Sequence, residues 1–420
     1  MPENLVLQTI VDPYQQQMHE RLLGQIGGGD ISSEERQAMQ ERFASLVKTV
    51  SSWAVDHEHD IDTVVPLGGG FKNPVLLLTT VRGEQFVAKA FTEEQSLKTT
   101  REAQIKFNSL FNEDERLLPK SEIFNDTLFS EKAKGSAVKT LIAEAINNPE
   151  QIGRAEEAFF AVGATLGMLH ERTERPILSA DDITAEVAEN ATMDREKINR
   201  HLEELSVASL VGMDPETVAA IKDRVKEFTE PEYVSLIHGD AHLDQFFHED
   251  GGASVEIVDY DDVREGDPMA DLGRVISSQR DWCREYKASP ELEIKLTRSI
   301  AKGYASARQE SGLVPNGEEL DMMRVVAYEL RLQLVKLKNF GELRQKLKVV
   351  EAHLGLDEHE IAVANGDQAT VIDQYLYPND RQKLAAMRVV TAELTDIMQY
   401  LRPIPSVESS SDDHTMQQAA

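Results

Sequence analysis

The sequence predicts an α+β protein of two lobes, a small β-rich unit followed by a large helical one. Three observations carry this. Between Val64 and Ala133 the apolar residues come in short runs broken by glycine and charged turn residues, the pattern of strands. After Gly135 they recur at helical spacing, as in Phe159, Val162, Leu166 and Leu169. Inside that helical region a pair of strand-like runs, Val234–Ile237 and Val255–Val258, each end just before an acid. With 420 residues the chain has room for two or three structural units and an ample core. The division read from these patterns is an N-terminal helical extension (1–60), a β-rich lobe (61–135), a helical lobe (136–402) and a disordered tail (403–420).

The elements follow in order. Gly27-Gly28-Gly29 marks a flexible joint, and Ser32 with Glu35 reads as a capping box. Met39, Phe43, Leu46, Val47, Val50 and Trp53 then form a helical stripe. Strands are expected at Val64–Leu67, Val75–Leu78 and Phe86–Lys89, with Arg82-Gly83 turning between the last two. A helix is expected from Thr99 to Phe111, and strands at Glu122–Phe124 and Leu128–Ala133. Residues 171–232 read as a charged insertion of helices and loops. A hairpin-like pairing of Val234–Ile237 with Val255–Val258 is expected to bring Asp240 and Asp259 to one edge. Met323, Val326, Leu330, Leu334 and Leu337 form a late helical stripe that stops near Gly341. The Pro-, Ser-, Asp- and Gln-rich end reads as disordered.

Bulk composition narrows the function classes. Lys and Arg number 44 against 74 Asp and Glu, a net charge of −30. Such a charge argues against nucleic acid or an anionic membrane as a main partner. Cys283 is the single cysteine, so no intramolecular disulfide forms and a reducing cytoplasm is the expected setting. The first residues lack the charged start and apolar run of a signal peptide, and no apolar run is long enough to span a bilayer.

The chemistry centres on His238-Gly239-Asp240-Ala241-His242, with Asp259-Tyr260-Asp261 following. One acid at such an edge can take a proton from a hydroxyl nucleophile, while another holds a divalent cation between phosphate oxygens. Gln245 offers an amide oxygen to a second cation site, and Asp259 offers the hard carboxylate that Mg²⁺ prefers. Asp261 reads equally as a further ligand or as a solvated turn acid. His238 reads as a structural histidine bonding backbone near Asp259, and Asp271 as an acceptor for the backbone around Asp240. In the small lobe, Gly68-Gly69-Gly70 lets backbone N–H groups approach phosphate, though a plain hairpin turn has the same composition. Lys89, ending an apolar strand, can hold phosphates as a point charge. Glu102 can pair with it, and each also reads as a solvated surface residue. A different reading takes His238, Asp240 and His242 as metal ligands of a hydrolase.

The ordered series of Gly-rich turn, strand lysine, helix glutamate, His-Gly-Asp-x-His, an amide five residues after the Asp, a strand Asp and Gly-Asp-Pro-x-x-Asp-Leu resembles the aminoglycoside phosphotransferase and choline kinase group over about residues 62–280. The resemblance implies a two-lobed protein-kinase-like fold and a small-molecule kinase using ATP and Mg²⁺. It implies Asp240 as catalytic base and Gln245 and Asp259 as Mg²⁺ ligands. Lys89 becomes the phosphate-binding lysine held by Glu102. Residues 69–73, with Gly69 and Gly70, would cover the nucleotide, and backbone from Glu131 to Ala133 would bond adenine. The family usually has asparagine where this chain has Gln245. The acceptor is expected to be a small hydroxyl compound, a sugar or amino sugar. A non-catalytic nucleotide-binding protein on the same fold stays open as the alternative.

Overall fold

The computed structural model describes residues 33–67, 73–91, 94–111, 117–177, 184–204, 206–230, 233–309 and 322–401. Ser32, the Phe43 side chain, Gly69, Gly70 and the tail 403–420, all named above, lie outside the described residues. The small lobe is built on one antiparallel sheet of β1 (Ile61–Pro66), β2 (Val75–Thr80), β3 (Gln85–Ala90), β4 (Ser121–Phe124) and β5 (Thr127–Glu131), in the order β1-β2-β3-β5-β4. Leu76 pairs with Ala88 and Ala88 with Phe129, while Val75 pairs with Lys89 and Lys89 with Leu128. Side chains alternate across a strand, so Leu76, Leu78, Ala88 and Phe129 share one face and Lys89 and Leu128 the other.

Each face has its own helix. The Ser33–Asp56 helix places Leu46, Val50 and Trp53 one turn apart against Leu76, Leu78, Ala88 and Phe129. The Trp53 ring stacks on Phe129 at 4.3 Å, and its Nε1 donates to Glu122 at 2.5 Å. The Glu94–Leu110 helix buries Ala103 and Phe107 in the core that holds Leu128. This helix begins a turn before the Thr99 start expected from sequence, and β5 ends at Glu131 rather than Ala133.

The expected pairing of the two acid-bearing strands is corrected. β8 (Tyr233–Ile237) lies between β7 (Arg175–Pro176) and β11 (Arg264–Gly266), while β10 (Val255–Ile257) pairs with β9 (Phe246–His248), which also pairs with β6 (Ser136–Ala137). The sequence pattern does not mark Phe246–His248 as a strand. The Gly251-Gly252 turn closes it onto β10 as a local hairpin, at less loop-closure entropy than the more distant β8 would require.

By its contacts the chain forms two units, one reaching Thr192 and resuming from Pro231 to Glu329, the other Met193–Glu230 and onward from Leu330. The boundary expected at residue 135 falls inside the first unit. Its backbone is the crossing of the Ile152–Thr173 and Pro290–Gln309 helices. They approach so closely that a Cβ at Gly163 would overlap the Ile300 carbonyl, and one at Gly303 the Phe160 carbonyl. The second unit is helical. Ile221, Val225, Leu334, Leu347, Leu384 and Leu394 are fully or almost fully buried in it. Asp214 caps the Pro215–Phe228 helix by accepting from Thr217 N at 2.7 Å.

Adding a methyl at the helix crossing has no room to be absorbed, because its neighbours there are backbone. Gly163→Ala or Gly303→Ala is expected to cost about 1–3 kcal/mol, read as a lower urea midpoint with an unchanged m-value.

Candidate active site

The loop after β8 is fixed by one buried carboxylate. Asp271, in the first turn of the Pro268–Glu285 helix, accepts from His238 N at 2.7 Å and Gly239 N at 2.9 Å. His170 Nε2 lies 3.2 Å from the same carboxylate, and its Nδ1 lies 3.1 Å from the Tyr304 hydroxyl. Asp271 is 1% exposed. Burial works to raise its pKa, but the hydrogen bond and charge of His170 and the backbone donor win and hold it at about 2. This is the backbone-holding role expected of Asp271. Gly239 has φ +81°, and a Cβ there would overlap the Asp262 carbonyl, so glycine is required on both counts.

His238 is fully buried and tied to backbone at both nitrogens, as expected. Nε2 donates to Val258 O at 3.1 Å and Nδ1 accepts from Asp240 N at 3.3 Å. Val258 immediately precedes Asp259, so the ring joins the two acid-bearing loops. It also leaves His238 no nitrogen for a metal. Among the described residues no group of three or more His, Cys, Asp or Glu is arranged to hold a metal ion. The hydrolase reading of His238, Asp240 and His242 is corrected accordingly.

Asp240 is partly exposed and held at one oxygen. Its Oδ1 accepts from Arg274 Nη1 at 2.5 Å and lies 3.1 Å from His242 Nε2. Burial works to raise the Asp240 pKa, but the hydrogen bond and charge of His242 and the charge of Arg274 outweigh it and lower the value.

Lys89 comes from the small lobe to the second acid pair. Its Nζ is bonded to Asp259 Oδ1 and to both oxygens of Asp261 at 2.7 Å. Asp259 has φ +62°, a left-handed conformation that few non-glycine residues adopt and that recurs at functional sites. Tyr260 between the acids is buried, with its hydroxyl 3.2 Å from Ser121 Oγ. That burial directs Asp259 and Asp261 together to the lysine. Burial and the neighbouring Asp259 raise Asp261 to about 6 despite Lys89. Asp259 is shifted down: burial opposes ionisation, but the charge of Lys89 and the hydrogen bonds from Asp261 and Lys89 prevail. The two carboxylates therefore influence each other's ionisation, and both raise Lys89.

Two expectations differ from the geometry. Glu102 does not hold Lys89. Its side chain is 62% exposed and lies 3.9 Å from Lys98, one turn earlier on the same helix. The lysine is instead drawn to the two acids, whose combined charge exceeds that of one glutamate. Gln245 sits beside Asp259 but presents the opposite end of its amide. Its Oε1 accepts from His242 N at 3.2 Å, closing a capping box on the 3₁₀ turn Leu243–Gln245, and its Nε2 points to Asp259 Oδ2 at 3.4 Å. A donor, not a ligand oxygen, therefore faces the carboxylate. Glu131 ends β5, with its N–H on Lys120 O at 2.7 Å, and Ala133 is buried two residues on. Sequence reasoning missed Arg274. Its signal was the spacing of three from Asp271, which puts both on one helix face.

The sequence profile of the phosphotransferase enzyme family matches residues 63–309, well over half of the chain and all of the residues just described. The chain belongs to this family. It is accordingly a phosphotransferase, built as an α+β fold in which a small antiparallel sheet is followed by helices. No curated protein matches the sequence. Among solved structures, the choline kinase LicA from Streptococcus pneumoniae is similar at 13% identity and a TM-score of 0.40, over 81% of this chain and 98% of that one. The amicoumacin kinase hAmiN, solved with AMP-PNP, Ca²⁺ and Ami, is similar at 15% identity and a TM-score of 0.45, over 89% and 98%. An aminoglycoside phosphotransferase from Streptomyces rimosus is similar at 15% identity and a TM-score of 0.40, over 69% and 97%.

Asp271→Asn puts an amide NH₂ against a backbone donor whichever way it turns. It is expected to destabilise the protein by about 2–4 kcal/mol, read by urea unfolding at neutral pH. Because the folded-state pKa lies below the unfolded one, the wild type holds this contribution fully above pH ~4 and loses it as pH falls toward 2. The gap between the two proteins should narrow over that window.

Proposed function

We propose that this phosphotransferase moves the γ-phosphoryl of Mg-ATP to a hydroxyl of a small molecule, a sugar or amino sugar. The observation that carries the reading is the convergence of Lys89 on Asp259 and Asp261, joined through Gln245 and His242 to the loop of Asp240. Two carboxylates already close on one ammonium, so the donor set suits a hard divalent cation beside an anionic phosphate chain. Asp259 with Asp261 would hold Mg²⁺, and Gln245 would join only by giving up its bond to His242. Bound there, the ion would neutralise charge on the phosphates.

The residues of the chain supply the rest. Lys89, once its acids hold the metal, is available to the phosphates as a point charge. Backbone at Glu131 and Ala133 would bond the adenine, and Gly69 and Gly70 would cover the nucleotide. Asp240 orients the acceptor hydroxyl and takes its proton as the oxygen–phosphorus bond forms and ADP leaves. Positioning and electrostatics account for most of the rate in such transfers. On this reading residues 61–135 are the nucleotide lobe, 136–402 the catalytic and acceptor lobe, and 1–60 an extension upon the first. Among the described residues no helix is long and apolar enough to cross a membrane. The proposed setting is the cytoplasm, with no nucleic acid or membrane partner. The orientation of the Gln245 amide favours one second reading, a kinase-fold protein that binds nucleotide without turnover.

The test is thermal stability with ATP, with and without Mg²⁺, followed by ADP release over sugars, amino sugars and amino alcohols. A ligand at a hundredfold excess over Kd adds roughly 2.7 kcal/mol of stability. The wild type should show a Mg²⁺-dependent shift, and Asp259→Ala should lose it. Asp240→Asn should keep the shift and lose transfer by roughly a hundredfold or more. Binding with no turnover on any acceptor would select the non-catalytic reading, and no shift would reject both.

A further inference from the structure

One face of the Pro268–Glu285 helix reads the loop of Asp240 residue by residue. Asp271, Arg274 and Ser278 follow at spacings of three and four, so they lie in one row along the helix. Asp271 takes the N–H groups of His238 and Gly239. Ser278 Oγ accepts from Leu243 N at 3.2 Å. Between them, Arg274 Nη1 donates to the Gly239 carbonyl and to Asp240 Oδ1. The row thus meets donors with an acid and acceptors with a cation, and the acid and cation are a single helical turn apart.

The row does more than fix backbone at its middle position. Both groups that bond the Asp240 side chain, Arg274 Nη1 and His242 Nε2, land on Oδ1. The Arg274 side chain is 15% exposed against 36% for Asp240, so the cation lies on the protein side of the carboxylate and the acid on the solvent side. Because the same nitrogen also holds the Gly239 carbonyl, the guanidinium is anchored to the loop backbone, and the carboxylate cannot swing about its Cα–Cβ bond without breaking its contacts with Arg274 and His242.

We propose that Arg274 is the positioning residue of the phosphoryl transfer: it pins Oδ1 of Asp240 so that Oδ2 alone faces the acceptor hydroxyl. The inference rests on the reading of Asp240 as the base. The hydroxyl proton passes to Oδ2, the acceptor oxygen bonds to the γ-phosphorus, the bond from that phosphorus to the bridging oxygen breaks, and ADP carries away the electron pair. Arg274 touches none of the reacting atoms. It acts by holding the carboxylate in one orientation and by keeping it ionised. Besides Asp271, the charged or titratable groups facing that loop are His242, His238 and Asp244 within it, Lys139, which pairs with Asp244, and Arg264, whose guanidinium lies against Gly239.

The experiment is ADP release by the full chain across pH 5–9 with the best acceptor from the screen, for wild type, Arg274→Lys and Arg274→Gln. The melting point with and without Mg-ATP is taken alongside. Arg274→Gln should lower kcat roughly tenfold or more and leave the Mg-ATP-induced melting shift and the KM for ATP within about twofold. The acid limb of its kcat profile should move to higher pH, because Asp240 loses its cation. Arg274→Lys keeps the charge without the planar fork, so it should restore the position of the acid limb but only part of kcat. A merely structural arginine would lower the melting point of the free protein and leave the limb where it was, and that result overturns the proposal. A Gln variant with wild-type kcat overturns it as well. If the wild type binds Mg-ATP and releases no ADP with any acceptor or with water, the assignment of Asp240 itself fails and takes this inference with it.

Discussion

The buried Asp271 carboxylate is the contact on which the rest of the site depends. A charge removed from water is tolerable only when every lone pair finds a donor. Here two backbone N–H groups and a histidine supply the donors. The same bonds hold Gly239 in a conformation closed to other residues, and that conformation turns Asp240 outward. His238 then ties this loop to the residue before Asp259. A single electrostatic requirement, the satisfaction of one buried acid, thereby sets the relation between the two acids assigned to the chemistry.

The Lys89 cluster follows a different logic. Three charges, two negative and one positive, share a small and partly buried volume. Such a set is over-supplied with negative charge, and one carboxylate keeps its proton to higher pH than a free acid would. The arrangement is stable as it stands yet prefers more positive charge than one ammonium delivers. The excess of negative charge is what the proposed cation would relieve, and it would release the lysine in doing so.

Much of this is legible in the sequence because it rests on order and local spacing. The alternation around Lys89 marks its strand and face. The Leu46, Val50 and Trp53 stripe marks the covering helix. The structural roles expected of His238 and Asp271 are the ones their hydrogen bonds show. What is not legible depends on distance through space. Glu102 looks like the partner of Lys89 since both are near in sequence, but two acids far along the chain compete better for its charge. Gln245 has an oxygen and a nitrogen, and composition cannot tell which end a neighbouring backbone N–H will claim. The pairing of β8 with β11 is equally hidden, because three-residue strands such as Arg264–Gly266 carry almost no periodic signal.

The helix from Ser33 to Asp56 changes the character of the small lobe. It covers the Leu76, Ala88 and Phe129 face of the five-stranded sheet, whereas the opposite face is covered only in part and leaves Val65 48% exposed. Trp53 lies flat on Phe129, two residues before the end of the strand that leads to Ala133. The two rings are stacked across the contact between helix and sheet, so the tryptophan fluorescence of Trp53 reports how firmly that helix is seated.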